Sequence, residues 1–244
     1  MPARAAASNK LITATVHSAA TVNESALCPP EGKAILIKLP HYPITIRLSM
    51  WDERYRCDEY VYGTEPNQFL HNNFRRITGR KVLCLAEGEG RNAVFLARQG
   101  YEVTAVDGSA EGRKKALKLA DKYGVKLQYD VADLASYDFG VDRWDGIVSI
   151  FCHLPPALRQ SVHMRVARAL REGGVLLLEA YTPAQLKLGT GGPKDEAMMM
   201  TARNLEKELH SLHFTHLAEL RRPVLEGFGH TGTGAVVQAI ANRE

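Results

Sequence analysis

Two glycines one residue apart, Gly88 and Gly90, close the short apolar run Lys81–Ala86, and a helical pattern opens at Arg91-Asn-Ala93. Glycine removes side chains where main chain must approach a ligand closely, and the N–H groups that open the following helix face the ligand's polar end. Asp107 ends the next apolar run, Tyr101–Val106, 19 residues after Gly88. A carboxylate at that strand end is placed to accept hydrogen bonds from a ribose diol. Together the two features point to a nucleoside-containing cofactor. Gly88-x-Gly90-x-x-Ala93 with an acid at this distance also fits the dinucleotide fingerprint. The turn alone therefore leaves the cofactor class open, and an ordinary β–α turn shows part of the same pattern.

The elements that must carry these residues are legible from periodicity. Strands are predicted at 81–86, 102–107, 125–129, 145–151 and 174–180, and helices at 90–99, 109–123, 156–170 and 201–211, with an earlier amphipathic helix over 68–78 on Phe69, Leu70, Phe74 and Ile77. Glycines 100, 124, 173 and 174 punctuate element ends. Alternating strands and helices imply an α/β fold, a Rossmann-like doubly wound parallel sheet with helices on both faces. The tail breaks the rhythm: 213–223 and 234–241 are two β-like runs without helix room between them, expected to pair as an antiparallel hairpin at the sheet edge.

Composition bounds the partners. The chain has 244 residues, 45% hydrophobic and 24% charged, enough for one α/β core. Net charge is +4, and no basic stripe interleaved with aromatics is present, which argues against nucleic acid. No apolar run approaches the ~20 residues of a membrane span. Residues 1–49 carry five Lys/Arg against two Glu and are rich in Ala, Ser and Thr. They read as a poorly attached N-terminal extension or a transit-like segment, or as an added arm, since Lys33–Leu39 and Ile44–Leu48 look β-like. The working domain is taken as 50–244. Cys28, Cys57, Cys84 and Cys152 lack metal spacing, and their usage suits a reduced, cytoplasmic setting, or an organelle if the leader is a transit peptide. His210, His213 and His216 have no carboxylate or cysteine spaced to complete a site, so no metal is expected.

At this level the chain resembles the class I S-adenosylmethionine-dependent methyltransferases, and within them the tellurite-resistance (TehB-like) group. The residues that carry the resemblance are Trp51-Asp-Glu-Arg-Tyr55, Tyr62-Gly-Thr-Glu-Pro-Asn67, Val82–Ala93 with Val103–Asp107, Asp130-Val-Ala-Asp-Leu134, Trp144–Pro155 and Glu179-Ala-Tyr-Thr-Pro183. The resemblance implies seven strands in the order 3-2-1-4-5-7-6, the last antiparallel. It also implies S-adenosylmethionine as cofactor and a small-molecule methyl acceptor such as a thiol or metalloid oxyanion; whether the protein is a monomer or homodimer is left open by the sequence. One departure stands out: the group's Asp-Leu-Gly-Cys-Gly reads Cys84-Leu-Ala-Glu-Gly88 here, so the acid has moved to Glu87.

Roles follow from that resemblance. Asp107 is expected to grip the ribose, Asp133 to accept from the adenine amine and the Leu134 N–H to meet a ring nitrogen. Glu87, or main-chain carbonyls, would take the amino group beside Gly88 and Gly90. Arg91 would meet the carboxylate unless it is a plain surface arginine, and Phe151 flanks the cofactor. His153 is the candidate base, or else it caps the turn before Pro155, and Tyr181 shares its rim. Cys152 and His153 are adjacent, so a strand points them to opposite faces and a Cys–His pair is disfavoured. Trp51, Tyr55 and Tyr62 form an expected aromatic cover able to attract a sulfonium. The glycine-rich stretch Leu188–Pro193 reads as a lid or a surface loop. The competing readings are a nicotinamide-dependent reductase, against which stand the absence of Tyr-x-x-x-Lys and the antiparallel tail, and a non-catalytic cofactor-binding protein.

Overall fold

In the computed structural model, residues 44–244 are described, with side chains from Met50 onward. Seven strands form one sheet: β1 (Lys81–Leu85), β2 (Glu102–Asp107), β3 (Gln128–Val131), β4 (Trp144–Ile150), β5 (Leu170–Tyr181), β6 (His213–Glu226) and β7 (His230–Asn242). Their order is β3-β2-β1-β4-β5-β7-β6. The first five run parallel, while β7 is antiparallel to both β5 and β6. The expected α/β architecture and strand order are present. Chain progression reverses between β1 and β4, and in open α/β sheets ligands lodge outside the carboxyl ends of strands at such a switch point.

Alternation along each strand feeds two cores. Val82 and Cys84 face one side and pack with Val103, Ala105 and the helices α2 (Gln68–Asn73), α3 (Arg91–Arg98) and α4 (Ala110–Lys122). Leu83 and Leu85 face the other side, against α5 (Pro156–Ala169) and α6 (Ala202–Glu208) through Val162, Val166, Leu205 and Leu209. Each such fully buried aliphatic contributes about 1.5–3 kcal/mol of transfer free energy. That sandwich fixes the strand ends, and so the site, to the rest of the molecule.

Three expectations shift. Ile44–Leu48 is not β-like but lies in helix α1 (Ile44–Tyr55), which passes through position 50; Lys33–Leu39 lies outside the described residues. An alternation over five residues is a weak strand signal when the chain continues into a helix. The third strand begins at Gln128 rather than 125. Gly124 (φ +65°) and Val125 instead close α4, with the Val125 N–H donating to the Ala120 carbonyl and that of Gly124 to Asp121, the paired bonds of a glycine-terminated helix. Finally, the hairpin is longer than the apolar runs suggested, since β6 passes through Pro223 to Glu226 and β7 starts at His230.

Candidate cofactor and acceptor site

The strand ends at the switch point are strained. Ala86, after β1, has φ +48°, and Phe151, after β4, has φ +53°. Left-handed backbone at non-glycine residues costs of order 1–3 kcal/mol and clusters at functional sites. Between these ends lies the glycine turn. Gly88 and Gly90 adopt φ +60° and +88°, and a Cβ at Gly90 would lie 2.4 Å from the Ala116 Cβ. Both glycines are therefore required by conformation, Gly90 also by close approach to α4 and Gly88 by the Tyr55 ring of α1.

Carboxylates tie the turn together. Glu87 Oε1 accepts from the backbone N–H groups of Asn92 (2.9 Å) and Ala93 (2.7 Å), capping α3 in place of the side chain Gly90 lacks. Burial pushes its pKa up to about 7, against those same N–H donors and Arg91. The displaced acid of the first strand thus holds the helix N-terminus. Asp107 is 9% exposed and accepts from Gly88 N–H at 3.0 Å and Ser109 N–H at 2.8 Å. Burial raises its pKa to about 6. A carboxylate offers about four acceptor sites, so those two bonds leave capacity for a diol. Tyr129, not singled out from sequence, donates to the Gly88 carbonyl at 2.6 Å and pins the turn from β3.

Arg91 is not a surface arginine. It is buried and pairs with Glu226 at 2.5 Å. That pair belongs to a buried network: Asn67 donates to Glu179 (2.8 Å) and Glu226 (2.9 Å), and Arg222 bonds both carboxylates. Two arginines offset two glutamates, so no net charge is buried. Asp133 accepts from Ala135 N–H at 2.8 Å, and its carbonyl accepts from Ser136 and Tyr137, a local turn at the end of β3. Leu134 is buried there, its carbonyl accepting from Arg165.

The N-terminal segment covers this end of the sheet. Asp52 accepts from Ser109 Oγ at 2.6 Å and Glu111 N–H at 3.1 Å, so α1 caps α4. Lys115 pairs with buried Glu89 at 2.6 Å and donates to the Cys57 and Glu59 carbonyls. Trp51 is partly exposed and stacks on Tyr55, centroids 5.5 Å apart. Tyr55 is buried, and its Oη lies 2.6 Å from where a Gly88 Cβ would be. Tyr62 receives a hydrogen bond from Arg54 at 2.9 Å and packs 4.5 Å from His230.

Beside the turn, an aromatic box closes the ends of β4 and β5. Phe151 stacks on Tyr181 at 4.6 Å, and His153 stacks on the same ring at 5.7 Å. His153 faces backbone on both nitrogens: Nδ1 is 3.2 Å from the Met198 carbonyl and Nε2 accepts from the Tyr181 N–H at 3.3 Å. Those partners assign the neutral tautomer with the proton on Nδ1, and burial lowers its pKa to about 4. Both ring nitrogens are thus engaged by main chain outside the turn before Pro155, which the ring does not cap. Gly191 and Gly192 (φ +120° and +88°) lie on the Tyr181 and His230 rings, so the glycine-rich loop does cover the box. His230 itself gave no sequence signal, because the stretch around Gly227, Gly229, Gly232 and Gly234 reads as loop.

Residues 82–174 match the methyltransferase domain family. No curated protein matches the chain. Solved structures do. One, described in connection with the conversion of a disulfide bond into a thioacetal group during echinomycin biosynthesis, is 17% identical with a TM-score of 0.65, covering 81% of this chain and 92% of that one. A SAM-dependent methyltransferase from Anabaena variabilis is 16% identical with a TM-score of 0.61, covering 87% and 100%. TehB from Haemophilus influenzae is 17% identical with a TM-score of 0.60, covering 81% and 67%. The family match covers residues 82–174, and the solved structures, at 17% identity or less, share the fold of the whole sheet. Among the described residues, no helix is long and apolar enough to cross a membrane and no group of three His, Cys, Asp or Glu side chains is arranged for a metal.

Proposed function

We propose that this protein transfers a methyl group from S-adenosylmethionine to a small-molecule nucleophile, in the manner of the TehB-like group. The observation that carries the proposal is the pairing, at a topological switch point, of a glycine turn in left-handed backbone with a buried Asp107 that retains acceptor capacity. S-adenosylmethionine, when bound, supplies an electrophilic methyl on a sulfonium sulfur. The residues present fit it. Asp107 would take the ribose hydroxyls, the Gly88–Gly90 turn the amino-acid end, and Asp133 with the Leu134 N–H the adenine. Phe151 would flank the donor, and Tyr55 and Tyr62 would cover it. Tyr55 stands directly on Gly88, so it repacks when the donor enters. Glu87 and Arg91 act by positioning, one holding α3 and the other the Glu226 network. Alignment of the nucleophile and exclusion of water are the main demands of such a displacement, and the N-terminal cover and glycine loop answer the second.

Calorimetry with S-adenosylhomocysteine and with NADH tests the reading. Tight binding of the first and none of the second is expected, and the reverse pattern would replace the methyltransferase by a reductase.

A further inference from the structure

Two buried polar atoms in the aromatic box lack a partner. His230 is 8% exposed and Tyr181 fully buried, yet neither His230 Nδ1 nor Tyr181 Oη makes a hydrogen bond. Their rings meet edge to face at 5.3 Å, with Phe151 4.8 Å and Tyr62 4.5 Å from the imidazole. A Cβ at Gly191 would stand 2.9 Å from His230 Cδ2 and 3.4 Å from Tyr181 Oη, so main chain lies against the Cδ2 edge of the imidazole and beside the tyrosine hydroxyl. Leaving a buried polar atom unsatisfied costs about 1–3 kcal/mol. Two such atoms side by side, at the strand ends beside the donor turn, are explained if a ligand group completes both.

We propose that His230, with Tyr181 beside it, accepts the proton of the group to be methylated, and that this group is a neutral X–H nucleophile: a thiol, phenol or amine. The inference rests on the methyl-transfer reading and narrows its acceptor. Charged and titratable groups reach the imidazole from every side: Arg54 on α1, Arg91 on α3, Arg222 on β6 and His153 after β4, with the Tyr62 and Tyr181 rings. Burial and those cations hold it well below its ordinary value, hence neutral and able to accept. In the step, an X–C bond forms as the methyl–sulfur bond breaks. The electron pair of the broken bond stays on sulfur, which becomes a thioether, and the X–H proton passes to His230 Nδ1, to leave for water on product release. Tyr181 orients X by donating to it. A nucleophile that attacks through a lone pair on an atom bearing no proton, as selenite does at selenium, would leave His230 without a role. The rings are in contact, so the box admits the reacting group and not the whole acceptor.

The test uses the full chain saturated with S-adenosylhomocysteine and isotope-labelled at histidine. 2-Mercaptoethanol, phenol and benzylamine are titrated while the His230 Nδ1 resonance is followed. Transfer from radiolabelled S-adenosylmethionine to the same probes and to selenite is measured in parallel. At least one neutral probe should move the Nδ1 signal and be methylated. His230→Asn should then slow that transfer about 100-fold or more with S-adenosylhomocysteine affinity unchanged, and Tyr181→Phe should slow it less. An Nδ1 signal indifferent to every neutral probe, transfer confined to selenite, or His230→Asn within about twofold of wild type would each overturn the proposal. The resonance measurement needs no variant, so a misfolded His230→Asn does not protect it. Failure of the wild-type chain to bind S-adenosylhomocysteine would be a different result, removing the donor reading itself.

Discussion

The donor turn and the aromatic box lie side by side at the sheet's carboxyl edge and are built on opposite plans. Around the turn nearly every polar group is answered locally: Glu87 by the start of α3, Asp107 by Gly88 and Ser109, the Gly88 carbonyl by Tyr129. The box is assembled from Tyr62, Phe151, Tyr181 and His230, far apart in sequence, and leaves Tyr181 Oη and His230 Nδ1 unanswered. On the proposed reading, the turn that grips one fixed cofactor is served by rigid main chain. The box, if it receives the reacting group as proposed, keeps polar atoms in reserve, at a cost in stability. The buried Arg91–Glu226 pair and Asn67 bridge the two, binding α3 to the hairpin and to β5.

The comparison is sharpest where that bridge is cut. Arg91→Ala removes the partner of Glu226 Oε2, leaves Asn67 and Arg222 on Oε1 and one uncompensated buried charge in the network, and should lower unfolding free energy by about 3–5 kcal/mol; a urea midpoint within error of wild type would show the bridge to be dispensable. Next comes Gly90→Ala, which adds a Cβ at φ +88° against Ala116. A loss of about 2–4 kcal/mol is expected from left-handed strain and overpacking, and a smaller loss would mean that α4 shifts freely.

Asp107→Ala should weaken S-adenosylhomocysteine by about 1–3 kcal/mol, and an unchanged Kd removes Asp107 from the site. Its pH behaviour has a definite sign. Burial holds the folded carboxyl at about 6, above the unfolded 3.8, so between those values the folded chain binds more protons than the unfolded one. Stability from this group is therefore present at low pH and lost as pH rises toward 6. From pH 7 to 5, wild type should gain stability relative to Asp107→Asn while its S-adenosylhomocysteine affinity falls. Parallel urea titrations with no relative change would contradict the assignment.

The smallest effect carries the opposite sign. Tyr181→Phe deletes an unpartnered buried hydroxyl and should stabilise the free protein by up to about 1 kcal/mol while slowing methyl transfer. Destabilisation would mean that the hydroxyl is satisfied after all.

Legibility in the sequence follows the same division. The turn, Asp107 and the alternation of strands and helices are local patterns, and all were readable; the strand order came with the family resemblance. What escaped depends on tertiary context. Nothing local distinguishes Arg91 as a buried partner of Glu226, 135 residues away. His153 is the natural candidate base by position, and only its distances to Met198 and Tyr181 show both nitrogens engaged. His230 sits among glycines that read as loop, and its place opposite Tyr181 follows from hairpin pairing. Val125 is apolar, yet it closes a helix rather than starting a strand.

The outermost strand, β6, has one further consequence. It is 14 residues long, ample to template a foreign strand, yet Pro223 interrupts its row of backbone donors and its ladder is irregular between Phe214 and His216. Both features blunt this sheet margin, unpaired among the described residues, against recruitment of another polypeptide.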